Sequence, residues 1–143
     1  MINSMKVLFL AAEAAPFVKI GGLGDVAGSL PKALSSLSPS IDVRLVLPYY
    51  DFLDLSSHAI KPAATFTVKE NDENIPAEAF RVNINQVPVY LIRGKPITDL
   101  PSVYSDDGYQ DGRKFTFFSL AALELARRLD WQPDILHAHD WHT

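Results

Sequence analysis

The sequence predicts an α/β fold: a Rossmann-like parallel sheet with an antiparallel hairpin insertion. Two nearly continuous apolar runs, residues 6–12 and 42–48, flank a glycine-rich segment and an amphipathic helix, which is the pattern of a βαβ unit. Three segments between residues 65 and 92 alternate apolar and polar residues, as strands with one exposed face do. A second amphipathic helix and a third apolar run then return the chain to the parallel sheet.

The composition excludes several classes of protein. Of the 143 residues, 48% are apolar and 21% are charged, which is typical of a globular domain. Seventeen acidic against 13 basic residues give a net charge of −4, so we expect no nucleic-acid partner. The absence of cysteine excludes a disulfide framework and fits a reducing compartment, for which we expect the cytoplasm. No run approaches the roughly 18 apolar residues of a membrane-spanning helix, so no membrane partner is expected.

The N-terminal third contains the predicted βαβ unit. After the strand at 6–12, residues 14–24 include a proline and three glycines, which predict a loop whose main chain approaches a ligand closely. Asp25 is predicted to cap a helix whose apolar face contains Val26, Leu30, Leu34 and Leu37. Residues 42–48 then form the second buried strand.

The rest of the chain adds an insertion and returns to the sheet. We expect antiparallel strands at 65–68, 80–84 and 87–92, with Asn85 and Gln86 as a tight connection. Residues 94–112 are expected to form a long loop, and residues 115–129 a helix with an ion pair between Glu124 and Arg128. Residues 134–138 are the third parallel strand. The sequence ends where a covering helix is expected to begin, so we expect it to be part of a longer domain.

The first candidate site is the segment of residues 19–26, where Lys19 precedes three glycines at the start of a helix. Amide N–H groups at a helix start and a nearby ammonium favour a diphosphate. The alternative is a simple connector with a solvated lysine. Residues 22–27 also match the dinucleotide pattern G-x-G-x-x-A, but the glycines lie too far from the preceding strand, and the second strand ends in Pro48 instead of an acid.

The second candidate site is the C-terminal cluster of histidines. His137, His139 and His142 suggest a metal site, although the order of the acid differs from the hydrolase pattern H-x-H-x-D-H. Asp140 and Trp141 suggest sugar recognition instead, because a carboxylate binds paired hydroxyls and an indole covers the apolar face of a pyranose.

Parallel topology predicts that the two candidate sites are close in space. Both follow the carboxyl ends of parallel strands, and open α/β sheets bind ligands in the crevice at that edge. A loop suited to phosphate therefore faces a turn suited to sugar.

Six segments resemble, in order and over almost the whole chain, bacterial glycogen synthases and plant starch synthases: AEAAP, KIGGLGDV, LPKAL, VLPYY, FFSLAALEL and PDILHAHDWHT. The resemblance implies a retaining hexosyltransferase of GT-B architecture that transfers glucose from ADP-glucose, or UDP-glucose in some members, to the non-reducing end of an α-1,4-glucan. Residues 1–143 would form part of the N-terminal, acceptor-side catalytic domain, without the C-terminal nucleotide-binding domain. The resemblance implies no metal and no cofactor, and we expect the chain alone to transfer no glucose.

The resemblance also implies roles for individual residues. Lys19, which would contact the diphosphate, and Asp140, in the sugar pocket, are the expected catalytic residues. The expected substrate-binding residues are Lys19, the flexible pair Gly21 and Gly22, Asp25, Glu13, Tyr104, His139 and Trp141.

Two positions depart from the family pattern. Many members have alanine where Gly24 stands, a difference expected to be harmless. The usual D-N-x-x-R-F at the start of the long helix reads Q-D-G-R-K-F at residues 110–115, so Lys114 or Arg113 is expected to replace the family arginine.

Three other functions stay open on the residues alone. The first is a non-catalytic glucan-binding module, which would bind maltooligosaccharide without transferring glucose. The second is a metal-dependent hydrolase that uses the three histidines. The third is a dehydrogenase that binds NAD near Gly22.

Overall fold

The structure, a computed structural model, describes residues 4–143. Its strands are β1 (Met5–Leu10), β2 (Ile41–Pro48), β3 (Lys61–Glu70), β4 (Glu73–Ile84), β5 (Val87–Arg93) and β6 (Ile135–Ala138). Its helices are α1 (Gly22–Leu37), α2 (Lys95–Thr98) and α3 (Gly108–Arg128), and a 3-10 turn covers Asp140–His142. None of the helices in this part of the chain is long and apolar enough to cross a membrane.

The six strands form one mixed sheet in the order β3-β4-β5-β2-β1-β6. β1 lies parallel to β2 and β6, and β2 lies parallel to β5, whereas β4 is antiparallel to both β3 and β5. The parallel sheet with an antiparallel hairpin is therefore confirmed. Asn85 and Gln86, both with positive φ, form the predicted two-residue connection.

One strand has a different place from the one predicted. β5 was expected to belong to the insertion, but it also pairs with β2 and so extends the parallel core. Its burial explains the difference, because Val89, Tyr90, Leu91 and Ile92 are all buried and the strand is covered on both faces.

A helix covers each face of the sheet. α1 buries Ala27 with the cluster that includes Phe9 and Leu45, and α3 buries Phe117 and Phe118 in the cluster on the opposite side. The close approach of α1 requires a glycine at position 28, since an added Cβ would lie 2.6 Å from the carbonyl oxygen of Ala15. These two layers hold the strands of the parallel core in fixed register.

The helix starts differ from the predicted ones. α1 begins at Gly22 with Gly21 as its N-cap, so Asp25 lies in the first turn and does not cap the helix. The expected long loop at 94–112 is interrupted by α2, and α3 begins at Gly108 because the side chain of Asp107 accepts from the amides of Tyr109 and Gln110. The predicted Glu124 pair is confirmed: Oε1 lies 2.8 Å from Nε of Arg128, and Arg127 joins it.

Candidate functional site

The candidate site is a cleft of about 350 Å³ at the carboxyl edge of the parallel strands. It is formed by the loop after β1, the loop between α2 and α3, and the turn after β6. Its lining residues are Glu13, Gly21, Gly22, Leu23, Tyr104, Asp140, Trp141 and His142. Other hollows exist, such as one of about 340 Å³ beside Glu73 and Arg113, but this cleft is the one that brings the two predicted sites together.

Glu13 is the buried acid of the cleft wall, with 2% of its surface exposed. Its Oε2 accepts hydrogen bonds from the amides of Ile20 and Gly21, the latter at 3.0 Å, and its Oε1 accepts from the hydroxyl of Tyr104 at 2.9 Å. Glu13 therefore ties the glycine loop to the loop that carries Tyr104.

The glycine loop packs against its own lysine at Gly24. A Cβ added there would lie 2.9 Å from Cγ and 3.0 Å from Cα of Lys19, and 3.0 Å from Oε2 of Glu13. The family alanine, expected to be harmless at this position, would therefore displace neighbours in this conformation. At Gly22 an added Cβ meets nothing within 4 Å.

Lys19 and Asp25 pair with each other beside the cleft. Nζ of Lys19 lies 2.8 Å from Oδ1 of Asp25, and both side chains are more than half exposed. Neither residue is among those that line the cleft, so their assignments to substrate binding stay predictions. An exposed ion pair of this kind contributes little to stability and is readily exchanged for another partner.

Tyr104 is held between polar and aromatic neighbours. Its ring centroid lies 4.8 Å from that of His142 and 6.2 Å from that of Phe115. Burial and the hydrogen bond to Glu13 raise the pKa of the Tyr104 hydroxyl well above its usual range. The hydroxyl therefore stays protonated at neutral pH and acts as a donor to Glu13.

The turn after β6 presents an acid and an indole. Asp140 has a φ of 64°, and its Oδ1 accepts from the amide of Trp141 at 2.7 Å. Trp141 stands edge-on to Phe115, with ring centroids 5.3 Å apart, and leaves 61% of its surface exposed. An exposed indole beside a carboxylate at the cleft mouth suits the face and hydroxyls of a sugar.

His142 is the cleft residue that sequence reasoning missed as a binding candidate. It is 5% exposed, and its Nδ1 is buried without a hydrogen-bond partner in the described chain. Burial lowers its pKa, although the nearby Asp140, Glu13 and Asp111 oppose that shift. The sequence signal for it is its place in a single turn with Asp140 and Trp141.

His137 and His139 are not among the residues that line the cleft. Their rings are 4.4 Å apart and pack on Phe9, at 4.7 and 4.2 Å. Burial and then the neighbouring His137 lower the pKa of His139. His139 is not among the cleft-lining residues, and its substrate-binding role stays a prediction. Within residues 4–143, no group of three His, Asp or Glu side chains is arranged to hold a metal ion.

The two cations expected to replace the family arginine lie in different surroundings, and the replacement itself stays a prediction. Lys114 is fully buried and pairs with Asp111 at 2.8 Å, whereas Arg113 points outward to Glu73 at 3.3 Å. Of these two cations, Lys114 is therefore the one that lies in the interior.

Comparison with known proteins identifies the family of this chain. The family model described as starch synthase catalytic domain matches residues 6–143. The chain belongs to this family. Glycogen synthases of Streptococcus agalactiae serotype Ia and Streptococcus gordonii are each 41% identical to it over 140 residues. These alignments cover 97% of this chain and 29% of each relative.

A solved structure shares the fold of this starch synthase family chain. The catalytic domain of starch synthase IV from Arabidopsis thaliana, bound to ADP and acarbose, superposes with a TM-score of 0.88 at 31% identity. The match covers 99% of this chain and 29% of the plant chain. The mixed sheet is therefore part of a GT-B glycosyltransferase fold, and the chain spans about 29% of the length of these relatives.

Proposed function

We propose that this chain supplies part of the N-terminal, acceptor-side domain of a retaining α-1,4-glucan synthase that uses ADP-glucose. The observation that carries the proposal is the cleft in which the glycine loop, Tyr104 and the turn of Asp140 and Trp141 meet at the carboxyl edge of the sheet. The relatives named above as glycogen synthases, and the plant enzyme bound to ADP and acarbose, support the choice of substrates.

In this proposal Lys19 binds the diphosphate of the sugar nucleotide. Its present partner, Asp25, is exposed, so a diphosphate can replace that carboxylate at little free-energy loss. As ADP leaves the anomeric carbon, negative charge grows on the diphosphate, and a nearby ammonium stabilises that charge in the transition state.

The acceptor side is assigned to the tyrosine and the turn after β6. Trp141 would cover the apolar face of a glucose unit, and Asp140 would accept hydrogen bonds from its hydroxyls. The acceptor 4-oxygen then bonds to the anomeric carbon on the face that ADP leaves, while its proton passes to the departing diphosphate oxygen, and the configuration at the anomeric carbon is retained. The proposal includes a cytoplasmic location, which the cysteine-free sequence supports.

The decisive experiment begins with the source gene beyond the codon for Thr143. We expect it to continue into a second nucleotide-binding domain, and we expect the whole product to elongate maltooligosaccharide from ADP-glucose. The 143-residue chain, assayed beside it, should transfer no glucose. A gene that stops at Thr143 and a product that binds glucan without elongating it would instead establish a binding module.

A matched pair of variants tests the assignment of Lys19. In the whole product, Lys19→Ala should lower kcat with ADP-glucose by about tenfold or more, the size expected for one lost transition-state charge contact. Lys32→Ala removes an exposed cation on α1, outside the cleft lining, and should leave kcat unchanged.

A further inference from the structure

A buried ion pair holds the loop that carries Tyr104. Lys114 is 0% exposed, and its Nζ lies 2.8 Å from Oδ1 of Asp111, whose side chain is 4% exposed. Both residues lie in the first two turns of α3. Replacing such a pair by apolar residues is often neutral or stabilising, because the two charges lose their hydration on burial. Stability alone therefore does not explain an ion pair at this place.

The pair binds the main chain on both sides of Tyr104. Nζ of Lys114 donates to the carbonyl oxygen of Val103 at 2.5 Å and to that of Ser102 at 3.4 Å. Asp111 accepts from the amide of Ser105 at 2.8 Å and from its hydroxyl at 3.0 Å. The residues before and after Tyr104 are thus fixed to the same helix.

The two charges match the groups that they bind. An ammonium can only donate hydrogen bonds and an ionised carboxylate can only accept them, so Lys114 suits the carbonyls and Asp111 suits the N–H and O–H of Ser105. Burial opposes ionisation of Asp111, but the hydrogen bonds from Lys114 and Ser105 outweigh it and lower its pKa. Asp111 is therefore charged at neutral pH.

The contacts continue from this loop into the cleft. The hydroxyl of Tyr104 donates to Oε1 of Glu13, and Oε2 of Glu13 accepts from the amide of Gly21. Lys114 and Asp111 are not among the residues lining the cleft, and Tyr104 is the lining residue carried by the loop that they bind.

We propose that Lys114 and Asp111 are positioning residues that fix the Tyr104 side chain against Glu13 and so keep the acceptor cleft formed. The geometric part of this inference is independent of the ligand. The expectation that the cleft binds an α-1,4-glucan rests on the proposed function.

The test replaces the ion pair by an apolar pair of similar size, Asp111→Leu with Lys114→Met. Because no uncompensated charge is buried, the variant should still fold, but its urea midpoint should fall, since main-chain groups of Val103 and Ser105 lose their partners. The control is Arg113→Met, which removes the neighbouring cation of α3 whose partner is Glu73. A second variant, Lys114→Arg, keeps a cation beside Asp111 and donors for the loop carbonyls, and should leave both readouts below as they are in the parent chain.

The first readout is the NMR signal of the labelled ring carbon that carries the Tyr104 hydroxyl. In the parent chain and in the control, this signal should not titrate near pH 10, the ordinary tyrosine pKa, because burial and the hydrogen bond to Glu13 raise the pKa of the hydroxyl. In the variant with the apolar pair, the Tyr104 signal should titrate near pH 10. A signal that stays constant in the apolar variant would overturn the inference.

The second readout is the Kd for maltoheptaose. It should rise about tenfold in the apolar variant and stay unchanged in the control. When Tyr104→Phe is already present, the apolar pair should add little, because both changes act through one residue. Full additivity would contradict the inference. If the parent chain does not bind maltoheptaose at all, the assignment of this cleft to the glucan acceptor fails, and the Tyr104 titration still decides the positioning role.

If the apolar variant does not fold, Asp111→Asn alone serves in both readouts. It keeps the size of the side chain but loses a carboxylate oxygen that accepts from Ser105. An unchanged Tyr104 signal and an unchanged Kd in this variant would reject the inference.

Discussion

Glu13 and Tyr104, 91 residues apart, are joined by a 2.9 Å hydrogen bond in the wall of the cleft. The same carboxylate accepts from two amides of the glycine loop. One buried acid thus connects the loop proposed to bind the diphosphate with the loop proposed to bind the acceptor. This arrangement makes the two halves of the cleft depend on each other.

Glu13→Gln should therefore loosen both loops. Glutamine has one accepting oxygen. Its NH₂ group can only donate and so cannot accept from the main-chain donors. We expect the free energy of unfolding to fall by about 1 to 3 kcal/mol, the range for leaving buried donors unsatisfied. Faster hydrogen exchange at Ile20 and Gly21 would localise the change. Tyr104→Phe, which removes a single bond, should show a smaller loss and leave those two amides protected.

Alanine substitution should change the stability differently at Gly22 and Gly24, two glycines in the first turn of α1. At Gly24 the new methyl would collide with Lys19 and Glu13, so we expect a loss of about 1 to 3 kcal/mol in the free energy of unfolding. At Gly22 the space is open, and alanine should be neutral or stabilising by up to about 1 kcal/mol. Urea denaturation of both variants checks this contrast, and equal midpoints would show that the loop adjusts freely.

Trp141→Ala should affect binding far more than folding. The indole is 61% exposed, and its aromatic contacts are an edge-on one with Phe115 and a tilted one with His142, so the stability change should be about 1 kcal/mol. Maltoheptaose binding should weaken by about 2 kcal/mol, as for a central aromatic contact. Tyr109→Ala, which removes another exposed aromatic residue outside the cleft lining, should leave binding unchanged. Calorimetric titration of the parent chain, Trp141→Ala and Tyr109→Ala with maltoheptaose measures these differences in binding.

The stability of the chain should fall on mild acidification because of His142 and His139. Burial lowers the pKa of each below the unfolded value of about 6.5, so the unfolded chain binds more protons. Stability is therefore greatest above pH ~6.5 and declines as the pH falls below it. His142→Gln should flatten this decline in part, with the remainder due to His139. An unchanged slope in urea denaturations across this range would show that His142 does not contribute.

Much of the fold follows from local patterns in the sequence. The apolar runs of β1 and β2, the turn at Asn85 and Gln86, and the apolar stripe of α3 each have a single reasonable structural interpretation. β5 does not have a single interpretation. Its segment alternates between apolar and polar residues at its start and is apolar at its end, so it fits either a hairpin strand or a buried core strand. Its pairing with β2 depends on contacts distant in sequence.

The sequence also predicts the position of the candidate site, but not all of the residues that support it. Parallel topology places Gly21 and Asp140 at one edge, which motif and topology together predict. The burial of Lys114 is not visible to hydropathy, which treats a lysine as a surface residue. Asp111 lies one turn before it, yet only the path of the loop at 99–107 shows that the pair faces inward.

The most direct test of the account is a two-dimensional amide NMR titration of the 143-residue chain with maltoheptaose. We expect concentration-dependent shifts that cluster at the cleft residues Gly21, Gly22, Tyr104, Asp140 and Trp141, and that require about thirtyfold more sugar in Trp141→Ala. Shifts confined to another surface, or no shifts at millimolar sugar, would contradict the assignment of this cleft to the glucan acceptor.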